Sequence, residues 1–112
     1  MPQPPNPPSH LRAETQRWFA RVAADYELED HHLRLLTLAC EAWDRVVQAR
    51  EALSEGGLTF VDRFGAPRAR PEVAIERDSR IAFARLVREL DLDIAPPTAS
   101  SRPPALRSNR RT

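Results

Sequence analysis

Apolar residues recur along the first part of the chain at intervals of three and four. Leu11, Thr15, Trp18 and Val22 form one stripe, widened by Phe19 and Tyr26, which predicts a helix capped by Ser9 and ending near Asp25. A second helix is expected from Asp30, a good N-cap residue, to about Ser54. Glu55-Gly56-Gly57 then stops it with residues able to adopt positive φ. Its apolar positions fall into two rows: Leu33, Leu36, Cys40, Trp43 and Val47 on one, and Leu35, Ala39, Ala42, Val46, Ala49 and Leu53 on the other. Together they cover about half the circumference, more than one neighbouring helix buries. The favoured reading gives one row to the intrachain core and assigns Leu35, Ala39, Ala42, Val46 and Leu53 to an oligomer interface. The alternative is a closed three-helix monomer with the second helix in the middle.

Between Leu58 and Pro71 the pattern changes. Leu58-Thr59-Phe60-Val61 is β-prone, Asp62-Arg63-Phe64-Gly65-Ala66-Pro67 carries turn residues, and Arg68-Ala69-Arg70 alternates, so a short β-hairpin or ordered loop is expected. Pro71 suits the first turn of a third helix, with Glu72 at its positive end. Ile75, Ala82, Phe83, Leu86 and Leu90 form its apolar stripe as far as about Asp91, and Arg77, Ile81, Ala84 and Arg88 share another face. Glu76–Arg80 and Arg85–Glu89, four apart, are spaced for weak surface ion pairs. The predicted fold is mainly α: a three-helix protomer with a long central helix and a hairpin or ordered loop between helices two and three.

Composition sets the limits of that core. Of 112 residues, 11 are proline. Five lie in residues 1–8 and four between Pro96 and Pro104, leaving a helical core at 9–93 between a Pro-rich start and a flexible tail at 94–112. A core of that size gains stability by self-association. No run of about 18 apolar residues spans a bilayer and no signal-peptide pattern opens the chain, so a cytoplasmic protein without a membrane partner is expected.

The charge is polarised. All 17 basic residues are arginine, and residues 1–93 hold 13 of them against 16 acids, while Arg102, Arg107, Arg110 and Arg111 give the last nineteen residues a charge of +4. A cationic end on a slightly acidic body suits phosphate backbones or an acidic partner. The hairpin adds Arg63, Arg68 and Arg70 against Asp62, and Arg12, Arg17 and Arg21 on helix one form a third group, for which Glu14 and Asp25 nearby favour an ordinary solvated face.

Catalytic chemistry finds little footing. His10, His31, His32 and Cys40 have no metal-ligand spacing, and Cys40 reads as a buried core thiol. Glu14, Asp25, Glu41, Asp44, Glu51 and Glu55 are expected on exposed faces. No phosphate-binding loop, dinucleotide fingerprint or nucleophile elbow occurs. His31-His32 is unusual at the positive end of a helix and points to no more than local packing or a mild pH response. No enzyme activity, metal or cofactor is expected.

The order of elements nevertheless has a likeness. A Trp-bearing helix from Leu11 to Tyr26 precedes a long helix with Cys40-Glu41-Ala42-Trp43 and Leu53-Ser54-Glu55-Gly56-Gly57. A segment from Gly65 to Pro71 follows, then a helix closing in Leu86-Val87-Arg88-Glu89-Leu90-Asp91-Leu92, then Pro96-Pro97 and Ser100-Ser101-Arg102. This arrangement resembles the small subunit of a phage terminase, in the compact helical family without a Walker motif, over residues 7–103. Asp93-Ile94-Ala95-Pro96-Pro97 is longer and more acidic than that pattern.

The resemblance implies a ring-forming homo-oligomer in the host cytoplasm. Such a subunit recognises double-stranded viral DNA and regulates the ATPase and nuclease of a large terminase subunit. On that reading Arg63, Arg68, Arg70, Arg102, Arg107, Arg110 and Arg111 are the candidate DNA- or partner-binding residues. The alternatives are a small helical transcription regulator and a protein-only oligomeric adaptor. The first fits poorly, because some 16 residues separate helices two and three where a helix-turn-helix needs a three- to four-residue turn.

Overall fold

The computed structural model describes residues 3–92. They form α1 (Ala13–Asp25), α2 (Asp30–Gly56), β1 (Thr59–Val61), β2 (Pro67–Ala69) and α3 (Pro71–Leu90). The expected three helices and intervening hairpin are all present. The 94–112 tail and its four arginines lie outside the described residues.

At 27 residues α2 is about 40 Å long and is the axis of the fold. α3 runs back along it: Arg50 near the end of α2 bridges Glu76 near the start of α3 at 3.0 Å. α1 is shorter and covers only the first half of α2, its start tied to Asp44 and its end lying by Leu92, whose carbonyl accepts a hydrogen bond from the Tyr26 hydroxyl. The core therefore sits at one end, where three helices meet. Leu11, Phe19, Val22, Leu36, Cys40 and Leu90 are buried there, with Trp18, Ala23, Leu28, Leu33, Leu35 and Leu92 packed around them.

Both apolar rows of α2 are used within the protomer. Leu36 and Cys40 of the first row are completely buried, and so are Ala39 and Val46 of the second. Leu35, Ala42 and Leu53 are half-buried. This departs from the expected interface row, because α1 covers the first row and α3 lies along α2 over most of its length. Ala39 and Val46 present no surface to a second subunit.

The helix starts differ from expectation as well. Ser9 lies in a turn closed by the Leu11 N–H donating to the Pro8 carbonyl at 3.3 Å, and the N-cap position of α1 is Arg12, whose side chain makes no cap bond. α2 is capped by Glu29, with Asp30 its first helical residue. The Glu29 carboxylate accepts the His32 N–H, while His32 Nδ1 accepts the Glu29 N–H at 3.1 Å. That reciprocal box gives His32 a use at the positive helix end: it caps as a neutral ring through its lone pair. Its ring lies against that of His31, with centroids 4.1 Å apart and planes inclined at 38°. Pro71 is at the start of α3, and Asp91 closes that helix in the left-handed region at φ 60°.

β1 and β2 pair antiparallel, with Thr59 opposite Ala69, Phe60 opposite Arg68 and Val61 opposite Pro67. Gly65, at φ +81°, turns the chain, and its N–H donates to the Asp62 carbonyl at 2.9 Å. The Asp62 carboxylate finishes the loop by accepting the N–H groups of Phe64 at 2.8 Å and Ala66 at 3.0 Å, and Arg68 Nε at 2.9 Å. These bonds, the Ala66 one foremost and Arg68 next, hold its carboxyl below the usual aspartate value.

Candidate functional site

Thirteen arginines fall among residues 1–93, and their side chains divide by what they touch. Most are engaged. Arg34 pairs with Asp30 at 3.2 Å, Arg77 with Asp78 at 3.2 Å, and Arg50 and Arg80 share Glu76 at 3.0 and 3.3 Å. Those two guanidiniums, Arg50 first, lower the Glu76 carboxyl below its ordinary value. Arg45 donates to Gln48. The expected Glu76–Arg80 pair is formed.

Two of the three hairpin arginines are likewise engaged locally. Arg68 is held by Asp62 at 2.9 Å, and Arg70 Nε donates to the Gly56 carbonyl at 2.9 Å, its guanidinium covering a glycine on which a Cβ would come within 2.9 Å. Arg63 has no acidic partner among the described residues and lies over the Phe64 ring, 5.0 Å from its centroid.

Among the described residues, Arg17, Arg21, Arg85 and Arg88 have neither an ion pair nor a side-chain hydrogen bond, and all four are exposed. Two stand on α1 and two on α3. Between these helices runs a groove of about 610 Å³ lined by Trp18, Val22, Tyr26, Val87 and Leu92, with Arg21 and Asp25 on one side and Arg88 on the other. Of the four unpaired cations, Arg21 and Arg88 line this groove, while Arg17, one turn before Arg21, and Arg85, three residues before Arg88, lie on neighbouring exposed positions of the same two helices. The sequence placed Arg17 and Arg21 in a minor group and Arg88 on a mixed face. Only tertiary packing brings Arg21 and Arg88 to the same groove.

At the other end of α1 the three helices meet through aromatic rings. Trp43 and Trp18 approach Phe83 at centroid distances of 5.1 and 5.9 Å. A notch of about 300 Å³ lies among Glu14, Thr15, Trp18, Trp43 and Phe83. Beneath it Asp44, expected on an exposed face, is only 5% exposed. Its carboxylate accepts the Thr15 hydroxyl at 2.5 Å and the Arg12 N–H at 2.8 Å, capping α1 from the neighbouring helix. A negative group at the positive end of α1 also complements the helix dipole. Four residues earlier, burial, and after it the Asp44 and Glu41 charges, push the Cys40 thiol up to about 12, far from nucleophilic.

Among the described residues no three His, Cys, Asp or Glu side chains gather closely enough to hold a metal ion, and no helix is long and apolar enough to cross a membrane. The link from α2 to α3 contains the whole hairpin, unlike the tight turn of a helix-turn-helix. A family model described as phage terminase, small subunit, matches residues 13–104, from the first residue of α1 through the hairpin and α3. No curated protein and no solved structure matches the chain.

Proposed function

The chain belongs to the phage terminase small-subunit family, and from that membership we propose that it is the DNA-recognition and regulatory subunit of a viral genome-packaging motor. It binds double-stranded phage DNA, assembles with copies of itself into a ring, and modulates the large ATPase/nuclease subunit in the host cytoplasm, with no catalysis of its own.

The observation that supports a DNA contact is that Arg21 and Arg88 face each other across the α1–α3 groove, with the exposed and unpaired Arg17 and Arg85 on the same two helices. A guanidinium already paired with a carboxylate must break that pair to meet phosphate, whereas an unpaired one exchanges only water and counterions. Net negative charge over residues 1–93 confines the contact to such a local cationic strip. The tail arginines Arg102, Arg107, Arg110 and Arg111 add non-specific phosphate affinity or engage the large subunit. Arg68 and Arg70 contribute less, because their hydrogen bonds are already made.

Measuring DNA affinity against salt tests this. Replacing Arg17, Arg21, Arg85 and Arg88 with alanine is expected to flatten the slope of log K against log salt by about 0.9 for each phosphate no longer neutralised, while Arg68→Ala/Arg70→Ala leaves it nearly unchanged. A quadruple variant with the parent slope removes the groove from the reading. Truncation after Ala95 separates the tail in the same assay.

A further inference from the structure

The hairpin is built as a protrusion. Every residue of both strands is exposed, and a two-stranded ribbon alone is marginal in water. One of its faces, carrying Thr59 and Val61 beside Pro67 and Ala69, holds no charge at all. Its tip and base add Phe64 at 78% exposure and Leu58 at 64%, with Val61 at 69%. Arg63 stacks on Phe64, so a cation without an acidic partner among the described residues travels with the apolar tip.

The opposite end of α2 has the complementary character. Leu33, Arg34, Thr37 and Leu38 line a shallow concavity of about 450 Å³, and Leu38 is 51% exposed. Beside it the α1–α2 elbow carries Asp25, Glu27, Glu29 and Asp30, four exposed acids with no base among residues 25–30. Of these only Asp30 makes an ion pair among the described residues, with an exposed Arg34, and such a pair is weak. The hairpin segment 58–70 carries three arginines against Asp62. Basic apolar tip and acidic elbow are separated by the length of α2, about 40 Å, so they do not meet within one copy.

We propose that the hairpin of one copy docks on the Leu33–Leu38 concavity and acidic elbow of a second copy, Phe64 seated on Leu38 and Arg63 facing Glu27 and Glu29. This rests on the assembly part of the reading above and supplies its contact surface. The two patches differ, so the contact is head-to-tail, the kind that closes into a ring or continues as a filament.

The test uses the full chain and two exposed substitutions, Phe64→Glu and Leu38→Glu, each checked for parental helix content by circular dichroism. Light scattering is expected to give a multi-subunit parent and a 12.7 kDa monomer for each variant. Mixed one to one, the variants are expected to form a heterodimer and nothing larger, because each retains one intact patch. Single variants that keep the parental mass overturn the proposed surface while leaving assembly standing. Monomeric variants that do not associate when mixed overturn the head-to-tail geometry. A parent that is monomeric at every concentration removes the assembly reading and this contact with it. As a second measure, Arg63→Glu is expected to weaken assembly at least tenfold and Glu27→Arg, which leaves the Glu29 cap of α2 intact, to restore it in the same chain; failure of that restoration counts against the charge pairing.

Discussion

Asp44 and Asp62 do the same chemical work in opposite surroundings. Each carboxylate accepts a backbone N–H that has no other partner and a second group from a side chain: Asp44 takes Arg12 N–H and the Thr15 hydroxyl, Asp62 takes Phe64 and Ala66 N–H and Arg68. Asp44 sits beneath the helix junction, and its removal leaves donors that water reaches poorly. Asp62 sits on an exposed loop where water replaces it at once. The comparison separates hydrogen bonds that hold the fold together from those that only shape a local segment, since the cost of a lost bond is set by what replaces the missing partner.

Asp44→Ala is therefore the largest effect expected. It strands the Arg12 N–H and the Thr15 hydroxyl and removes the anion from the start of α1, a loss of about 3 kcal/mol and a fall in Tm on the order of 15 °C. Asp44→Asn keeps an acceptor oxygen and is expected to lose roughly half as much. Cys40 gives an independent readout: fully buried, it is expected to resist thiol reagents in the parent at pH 8 and to label faster in Asp44→Ala in proportion to the lost stability if α1 undocks. A melt within 3 °C of the parent would show that the buried carboxylate is not what joins α1 to α2.

How far the sequence disclosed these regions follows from the same physics. Helical periods, Gly57 and Pro71 fix the elements, because repeat spacing and special backbone angles are local properties. The hairpin was legible from Asp62-to-Pro67 turn chemistry for the same reason. Asp44 was misplaced on an exposed face because charges mostly are solvated, yet a signal was present: it continues the row Leu36, Cys40 at the same interval of four. Thr15 similarly interrupts the row of Leu11, Phe19 and Val22. Two polar residues, each intruding on an apolar stripe of a different helix, are the sequence trace of a buried pair. No such trace exists for the α1–α3 groove, since exposed arginines look alike until packing decides which find carboxylates. Nor did periodicity reveal that Ala39 and Val46 are enclosed within the protomer, because the reach of α3 along α2 is a tertiary property.

Gly57 is an intermediate case, where α2 hands over to the hairpin. Its φ of +83° with ψ of 179° lies where only glycine rests easily, and its N–H donates to the Leu53 carbonyl at 2.8 Å. A Cβ there meets nothing within 4 Å, so Gly57→Ala isolates backbone strain from crowding. The expected loss is about 1–2 kcal/mol, measured by denaturant melts as a lower midpoint with unchanged m-value. An unaltered midpoint would mean that the junction relaxes freely, and that the hairpin's orientation is not fixed by α2.

Asp62→Ala is expected to have the smallest global effect and a sharply confined one. Its lowered carboxyl means the native hairpin favours the ionised form, so the stabilisation is fully present above the ordinary aspartate value near 3.8 and is lost as pH falls below it, through the lowered native value. Near neutral pH the substitution should move Tm by no more than about 2 °C while amide exchange at Phe64 and Ala66 accelerates. The parent should acquire the same fast exchange, relative to its intrinsic rate, only in acid. Exchange at buried helical positions such as Leu36 should not change in either case, because the hairpin contributes nothing to the buried cluster of Leu11, Phe19, Leu36 and Leu90. If Leu36 exchange rises together with that of Ala66, the hairpin and the helical core open as one unit, and the division between the two carboxylates disappears.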